Sequence, residues 1–367
     1  MKRQLKIGSL ILLIVLMFSL AACNSTESKK TKEDGDTAKS DKIETLKVGM
    51  SAGLMKPVGI IVGDKLGYFK EEGVNVKLEK VSSQPDATTA VSTGDMDIFP
   101  FGVVAPCTYV SQGADMVIFS GTVSEGSEIL ASQDFKGILK TADDLKGRTF
   151  AVSRAETGQM VLKDYLAKRG FKLGTDVKFV YVDDQTVGMQ GVKKGDFDFY
   201  ICNNAMGYIG NQSGLKVVGT VRQFVPHYPC CRQFCSRSAY DNKRDALVKF
   251  EIAQLRGYEY YLTEKESTIK ILAEYSGQGA DYVEASMYGL GDYENVMDIS
   301  LDPNKKAVVA FYETLKSLGE IDANTPYKIE DHIATDVYKE ALTTLISREP
   351  NNKLWPKLMD EFHKNND

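Results

Sequence analysis

The chain has 367 residues, a net charge of −5, 43% hydrophobic residues and 10% aromatic residues. This is the make-up of an ordinary globular protein, and the absence of a basic block after the first few residues excludes nucleic acid as a partner. Six cysteines in so long a chain exclude a disulfide-dense scaffold.

In chain order, Met1 to Lys6 is short and basic, and Ile7 to Leu20 is apolar apart from Gly8, Ser9 and Ser19. That run is too short for a comfortable membrane span, and its flanks are those of a signal peptide covering residues 1–22. It ends in Leu20-Ala21-Ala22-Cys23, a bacterial lipobox, which predicts a diacylglycerol thioether on Cys23. Asn24 to Lys42 is almost wholly polar and cannot offset its own ordering entropy, so residues 23–42 read as a tether. The expected location is the extracytoplasmic face of the cell membrane, with Cys23 as the lipid anchor.

A weak repeat organises the rest of the chain. Val91-Ser-Thr-Gly94-Asp95-Met-Asp97 matches Val192-Lys-Lys-Gly195-Asp196-Phe-Asp198. Gly73-Val-Asn-Val76 matches Gly174-Thr-Asp-Val177, and Val81-Ser-Ser-Gln84 matches Val182-Asp-Asp-Gln185, all at one offset. Each unit alternates short apolar strands with helical stretches, which predicts an α/β fold with parallel sheets in two lobes. After Thr220 the pattern turns helical and is expected to pack back on the first lobe. The boundaries read as 43–125 plus 230–367 for lobe one and 126–229 for lobe two.

In open α/β sheets ligands bind beyond the carboxyl ends of the strands. The candidate binding residues from lobe one are therefore Gly53, Leu54, Gln84, Phe101 and Gly102. Lobe two contributes Ser153, Thr157, Asp184, Asn203 and Asn204, and Thr122 and Glu125 lie at the first crossing. Thr157-Gly158 at a helix start has the form of an anion site. An ordinary cap or turn explains each polar residue singly.

From about Leu46 onward the chain resembles extracytoplasmic substrate-binding proteins of ABC transporters. The closest group is the one for nitrate, alkanesulfonates, taurine and thiamine-pyrimidine precursors, which shares its fold with the fungal synthase of the thiamine pyrimidine. Gly67-Tyr68-Phe69-Lys70-Glu71-Glu72-Gly73-Val74, Val91 to Asp97, and Asp144-Leu145-Lys146-Gly147-Arg148 carry the resemblance. It implies a two-lobed type II periplasmic-binding-protein fold that closes on a small solute. It also implies a permease and ATPase as partners, no cofactor, and a monomer.

His227-Tyr-Pro-Cys230-Cys231-Arg232-Gln-Phe-Cys235 is the most unusual stretch. Three readings stand: a soft-metal site, a disulfide such as Cys231–Cys235, or thiols lining the pocket floor with Arg232 free for a polar ligand group. The third is preferred. The stretch is similar in part to the cysteine-rich motif of the fungal synthase, and with Phe101, Tyr228 and Phe234 it points to a flat heteroaromatic solute. A sulfonate or taurine-like anion is the other expectation. No hydrolase, zincin or P-loop sequence occurs, so a binder is preferred over an enzyme related to that synthase or a metal-binding lipoprotein.

Overall fold

The computed structural model describes residues 43–203 and 205–367. The lipobox with Cys23, the tether and Asn204 lie outside them. β1 (Thr45–Ser51) pairs in parallel with β2 (Asn75–Val81) and β3 (Ile98–Phe99). β4 (Met116–Ser124) then leads through Glu125-Gly126 into β5 (Ser127–Ser132), which belongs to a second sheet. That sheet continues with β6 (Thr149–Val152), β7 (Lys178–Tyr181), β8 (Phe199–Asn203) and β9 (Leu215–Thr220). The chain returns to the first sheet with β10 (Pro229–Ser236) and β11 (Asp298–Ile299). The strand orders are β11-β4-β10-β3-β1-β2 and β7-β6-β8-β5-β9.

The architecture is α/β with two sheets, but the sheets are mixed rather than parallel throughout. Only β2-β1-β3 and β7-β6-β8 are parallel; β10 and β5 run antiparallel to their neighbours. These are the strands next to the crossings. They enter from the other sheet instead of through a helical crossover, so nothing forces them to run parallel.

The repeated Gly-Asp-x-Asp has one physical cause in both halves. Gly94 and Gly195 end their helices at φ 82° and 80°, a left-handed conformation that favours glycine. The second aspartate then clips the start of the central strand. Asp97 accepts from Lys47 N at 2.8 Å, and Asp198 accepts from Thr149 N at 2.8 Å. Each is paired with a cation, Lys243 for Asp97 and Arg148 for Asp198.

The helix Val58–Leu66 crosses Arg244–Thr263 at very close range. A Cβ on Gly257 would sit 2.2 Å from Gly59 O, and one on Gly59 would sit 2.5 Å from Gln254 O. Both glycines are therefore required for the approach. Ile60, Phe250, Leu342 and Trp355 are buried in the core that these helices and the C-terminal ones form over the first sheet. This contact fixes the start of helix Val58–Leu66, and with it the loop after β1.

Candidate functional site

Lys56 stands in that loop, just before Pro57 and the helix. Across from it is the start of β10. Successive side chains of a regular strand point to opposite faces. Here the pairing of β10 with β4 slips between Pro229 and Cys231 and again between Cys231 and Arg232. This bulge brings both thiols toward Lys56. Lys56 Nζ is 3.8 Å from each sulfur, and the sulfurs are 3.6 Å apart. Asn203 Oδ1, at the end of β8 in the other sheet, is 3.5 Å from the same ammonium.

The electrostatics divide the two thiols. A hydrogen bond from Cys230 holds Cys231 well below the ordinary thiol range, against burial, and the Lys56 charge and the Gly102 N–H add to it. Cys230 is pushed up by that same bond and by burial. Burial opposes the Lys56 ammonium, yet the two sulfurs and the Glu156 carboxyl outweigh it and push Lys56 up. The Lys56 ammonium beside both sulfurs favours ionisation of the pair, with Cys231 its more acidic member.

The second half faces this pair with carboxyl groups. Glu156 caps helix Thr157–Lys168, accepting from Gly158 N at 3.0 Å and Gln159 N at 2.6 Å as well as from Ser127 Oγ. Glu128 on β5 accepts from Gly207 N at 2.8 Å, in the first turn of helix Met206–Gln212, and from the Tyr293 hydroxyl at 2.7 Å. Burial pushes Glu128 up to about 7 against these hydrogen bonds, and burial also raises Glu156. Both helix N-termini, which favour anions, are thus occupied by carboxyl groups of the protein itself.

The two crossings are tied to each other. Glu125 (φ 53°) and His227 (φ 64°) are left-handed although neither is glycine, a backbone cost of about 1 to 3 kcal/mol each. His227 N donates to Glu125 Oε1 at 2.7 Å, Glu125 N to Tyr228 O at 3.0 Å, and Ser127 N to the Tyr228 hydroxyl at 3.1 Å. Beside Lys56 and Cys230 only about 10 Å³ of space remains, room for at most one water. The halves are closed on each other. A larger cavity of about 550 Å³ runs along β11 and helix Leu354–Asn366, lined by Asp298, Asp302, Tyr338 and Glu361 among others. It takes nothing from the second sheet, and neither Lys56 nor the thiols line it. The convergence of both sheets on Lys56 therefore marks the candidate site.

A family model described as "NMT1/THI5 like" matches residues 56–267, more than half of the chain. The chain belongs to this family. Like other folds with two sheets and a cleft, that of this NMT1/THI5-like protein has solved counterparts. The periplasmic nitrate-binding protein NrtA from Synechocystis has a TM-score of 0.67 at 18% identity, over 85% of this chain and 92% of that one. The periplasmic aliphatic sulphonate binding protein SsuA from Escherichia coli has a TM-score of 0.64 at 16% identity, over 80% and 92%. Both are similar in fold, which is that of periplasmic binding proteins. YtlA of Bacillus subtilis, described as a binding protein, is 23% identical over 93% of this chain and all of its own.

Of the residues singled out from sequence, Asn203, Thr157, Cys231 and Gly102 meet at the Lys56 site, with the Thr157 hydroxyl beside the Cys230 thiol and the Gly102 N–H on the Cys231 sulfur. Gly102 lies against Gln84, where a Cβ would sit 3.1 Å from Gln84 Oε1. Gly53 is a left-handed turn residue, Leu54 is exposed, and Ser153 hydrogen-bonds the Tyr200 hydroxyl. Several others serve the scaffold. Asp184 is an exposed N-cap bonded to Val187 N. Phe101 and Phe234 are core residues packed on Phe99, so they are not ring-stacking surfaces. Thr122 is fully buried and donates to Pro100 O at 3.2 Å. Glu125 belongs to the crossing.

Arg232 is not free for a ligand. It is fully buried, with Nε on Pro303 O, Nη1 on Val123 O and Cys231 O, and Nη2 on Ser124 Oγ. The Thr157-Gly158 anion site is filled by Glu156. Cys231 and Cys235 are four residues apart on one strand, roughly 13 Å, beyond the reach of a disulfide. Among the described residues no three His, Cys, Asp or Glu side chains converge as metal ligands. Sequence reasoning missed Lys56, Glu156, Ser127, Glu128 and Tyr293. The signal for Lys56 was Pro57, a helix-start residue that precedes Val58 and extends the loop after β1 to the lysine.

Proposed function

We propose that this protein is the solute-capturing component of an ABC import system. It is held to the extracytoplasmic face of the membrane through Cys23 and hands its solute to a permease driven by an ATPase. The observation that carries this is a site built from both halves and closed by direct contacts, Lys56 to Asn203 and Tyr293 to Glu128. A cleft that shuts by bringing two sheets together traps a small molecule.

The solute is a small neutral or cationic heteroaromatic, of the thiamine-pyrimidine-precursor kind, rather than a sulfonate or nitrate. The cations around the cleft are engaged: Lys56 by the thiols, Arg232 by carbonyls, Arg222 by Glu125, and Arg154 over the Tyr181 ring. The helix N-termini are self-capped. The half-buried Tyr208 ring, packed on the buried Tyr293 ring 5.8 Å away, offers aromatic surface beside hydrogen-bonding groups.

Calorimetry with a 4-aminopyrimidine, taurine and nitrate tests this. The aminopyrimidine should bind and be recovered unchanged, and the two anions should give no heat. Taurine or nitrate binding with the aminopyrimidine inert would overturn the solute class, and chemical turnover of the aminopyrimidine would overturn the transport role. Cys23→Ser should move the protein from the membrane fraction to the medium or periplasm; retention on the membrane would overturn the anchor.

A further inference from the structure

The Cys230–Cys231 pair is not needed for a binding cleft as such, yet its geometry is specific. The bulge in β10 places neighbouring thiols on one side of the strand, 3.6 Å apart, with one ammonium 3.8 Å from both. Cys107 and Cys235 are also buried thiols, but burial pushes them up, with Asp97 and Asp241 adding to it at Cys235, which makes them inert.

We infer that Cys230 and Cys231 form a reversible dithiol–disulfide site in the cleft, oxidised by a small-molecule disulfide, with Cys231 as the attacking sulfur and Lys56 as the positioning cation. Both thiols are buried while the halves are closed, so the reaction runs when the halves part: the Cys231 thiolate then attacks one sulfur of the oxidant RS–SR. The S–S bond breaks, a mixed disulfide forms, and the first RS⁻ leaves with the proton of Cys230. The Cys230 sulfur then attacks Cys231 Sγ and expels the second RS⁻, which takes a proton from solvent. Two cysteines are oxidised by two electrons, and the oxidant is reduced to two thiols.

Adjacent Cα atoms are about 3.8 Å apart across a trans peptide, closer than the usual span of a disulfide. Such a bond is strained and readily reduced, so it acts as a switch and not as a staple. Oxidation has an electrostatic consequence. The thiolate that balances Lys56 disappears, and the cleft gains one net positive charge. The reduced protein then favours the neutral or cationic solute proposed above, while the oxidised protein admits an anion. This last step rests on the proposed solute-binding role; the sulfur chemistry does not.

The test uses the full chain in detergent with oxidised glutathione as the probe, followed by denaturation, thiol alkylation and peptide mass analysis. The expected result is loss of alkylation at Cys230 and Cys231 together, no retained glutathione, and full recovery on adding dithiothreitol. Cys230→Ser should stop at a glutathione adduct on Cys231, and Cys231→Ser should not react at Cys230. Lys56→Met should slow the reaction about tenfold, and Lys56→Arg should restore most of the rate. Circular dichroism confirms that each variant is folded. A wild-type protein that keeps both thiols alkylatable, or that halts at the mixed disulfide, overturns the proposal. An unchanged rate in folded Lys56→Met overturns the role of the lysine. None of these readouts involves a solute, so their failure is separate from failure of the transport reading.

Discussion

The two halves of the molecule agree in their scaffold and differ in the loops that meet. Asp97 and Asp198 clip equivalent strand starts, and Gly94 and Gly195 end equivalent helices. Ser83 and Asp184 cap equivalent helices at Asp86 N and Val187 N. The loops after the two central strands present opposite charges at the residue next to the helix. The one after β1 carries Lys56 ahead of a helix with no side-chain cap, and the one after β6 carries Glu156 as the cap itself. The difference teaches that backbone demands preserved the repeat, while the cleft lies where those demands end and chemistry was free to diverge.

The largest effect that tests this comparison is electrostatic, because each half buries a carboxyl. Burial pushes Glu251 up to about 8 in the first half, against hydrogen bonds from Gln254 and Ser120, and pushes Glu128 up to about 7 in the second. A raised carboxyl keeps its proton in the folded state after the unfolded state has lost it. Each therefore contributes stability below pH 4.5 that is lost as the pH rises through 7 or 8. The loss is on the order of 5 kcal/mol for Glu251 and 3 kcal/mol for Glu128. Urea unfolding between pH 5 and pH 8.5 should show falling stability, flattened more by Glu251→Gln than by Glu128→Gln. A flat or rising wild-type profile would remove the claim that these groups are buried as acids.

Next in size is the aspartate clip. Asp97 is almost wholly buried and paired with Lys243, whereas Asp198 and Arg148 are about one-third exposed. Asp97→Ala should cost about 3 kcal/mol and Asp198→Ala about 1 kcal/mol. Equal losses would mean that the strand clip, common to both, dominates over the unequal ion pairs.

These residues also show what the sequence reveals and what it hides. The clip and the helix-ending glycines are legible because they answer local backbone requirements, which recur at fixed spacing. Glu156 is not, since glutamate is an unusual N-cap and the adjacent Thr157 looks like the cap instead. The joint orientation of Cys230 and Cys231 depends on a bulge against β4, which no period-two pattern contains. Arg232 looks available because its acceptors on Val123, Ser124 and Pro303 are brought to it only by folding. Local demands are written locally; the cleft is assembled from distant segments, and its partners cannot be read until the sheets are placed.

The smallest expected difference between the halves sharpens the comparison most, because the two sites are so nearly alike. Gly94 and Gly195 have φ values of 82° and 80°, and a Cβ at either would meet nothing within 4 Å. With no neighbour to clash, alanine at these positions carries only the left-handed backbone strain, about 1 to 2 kcal/mol. Gly94→Ala and Gly195→Ala should therefore lower stability by the same amount, with asparagine costing less than alanine at both. Urea midpoints of the four variants check this. If one glycine tolerates alanine and the other does not, the two helix ends are held by different forces, and the shared spacing of the repeat would no longer reflect a shared backbone requirement.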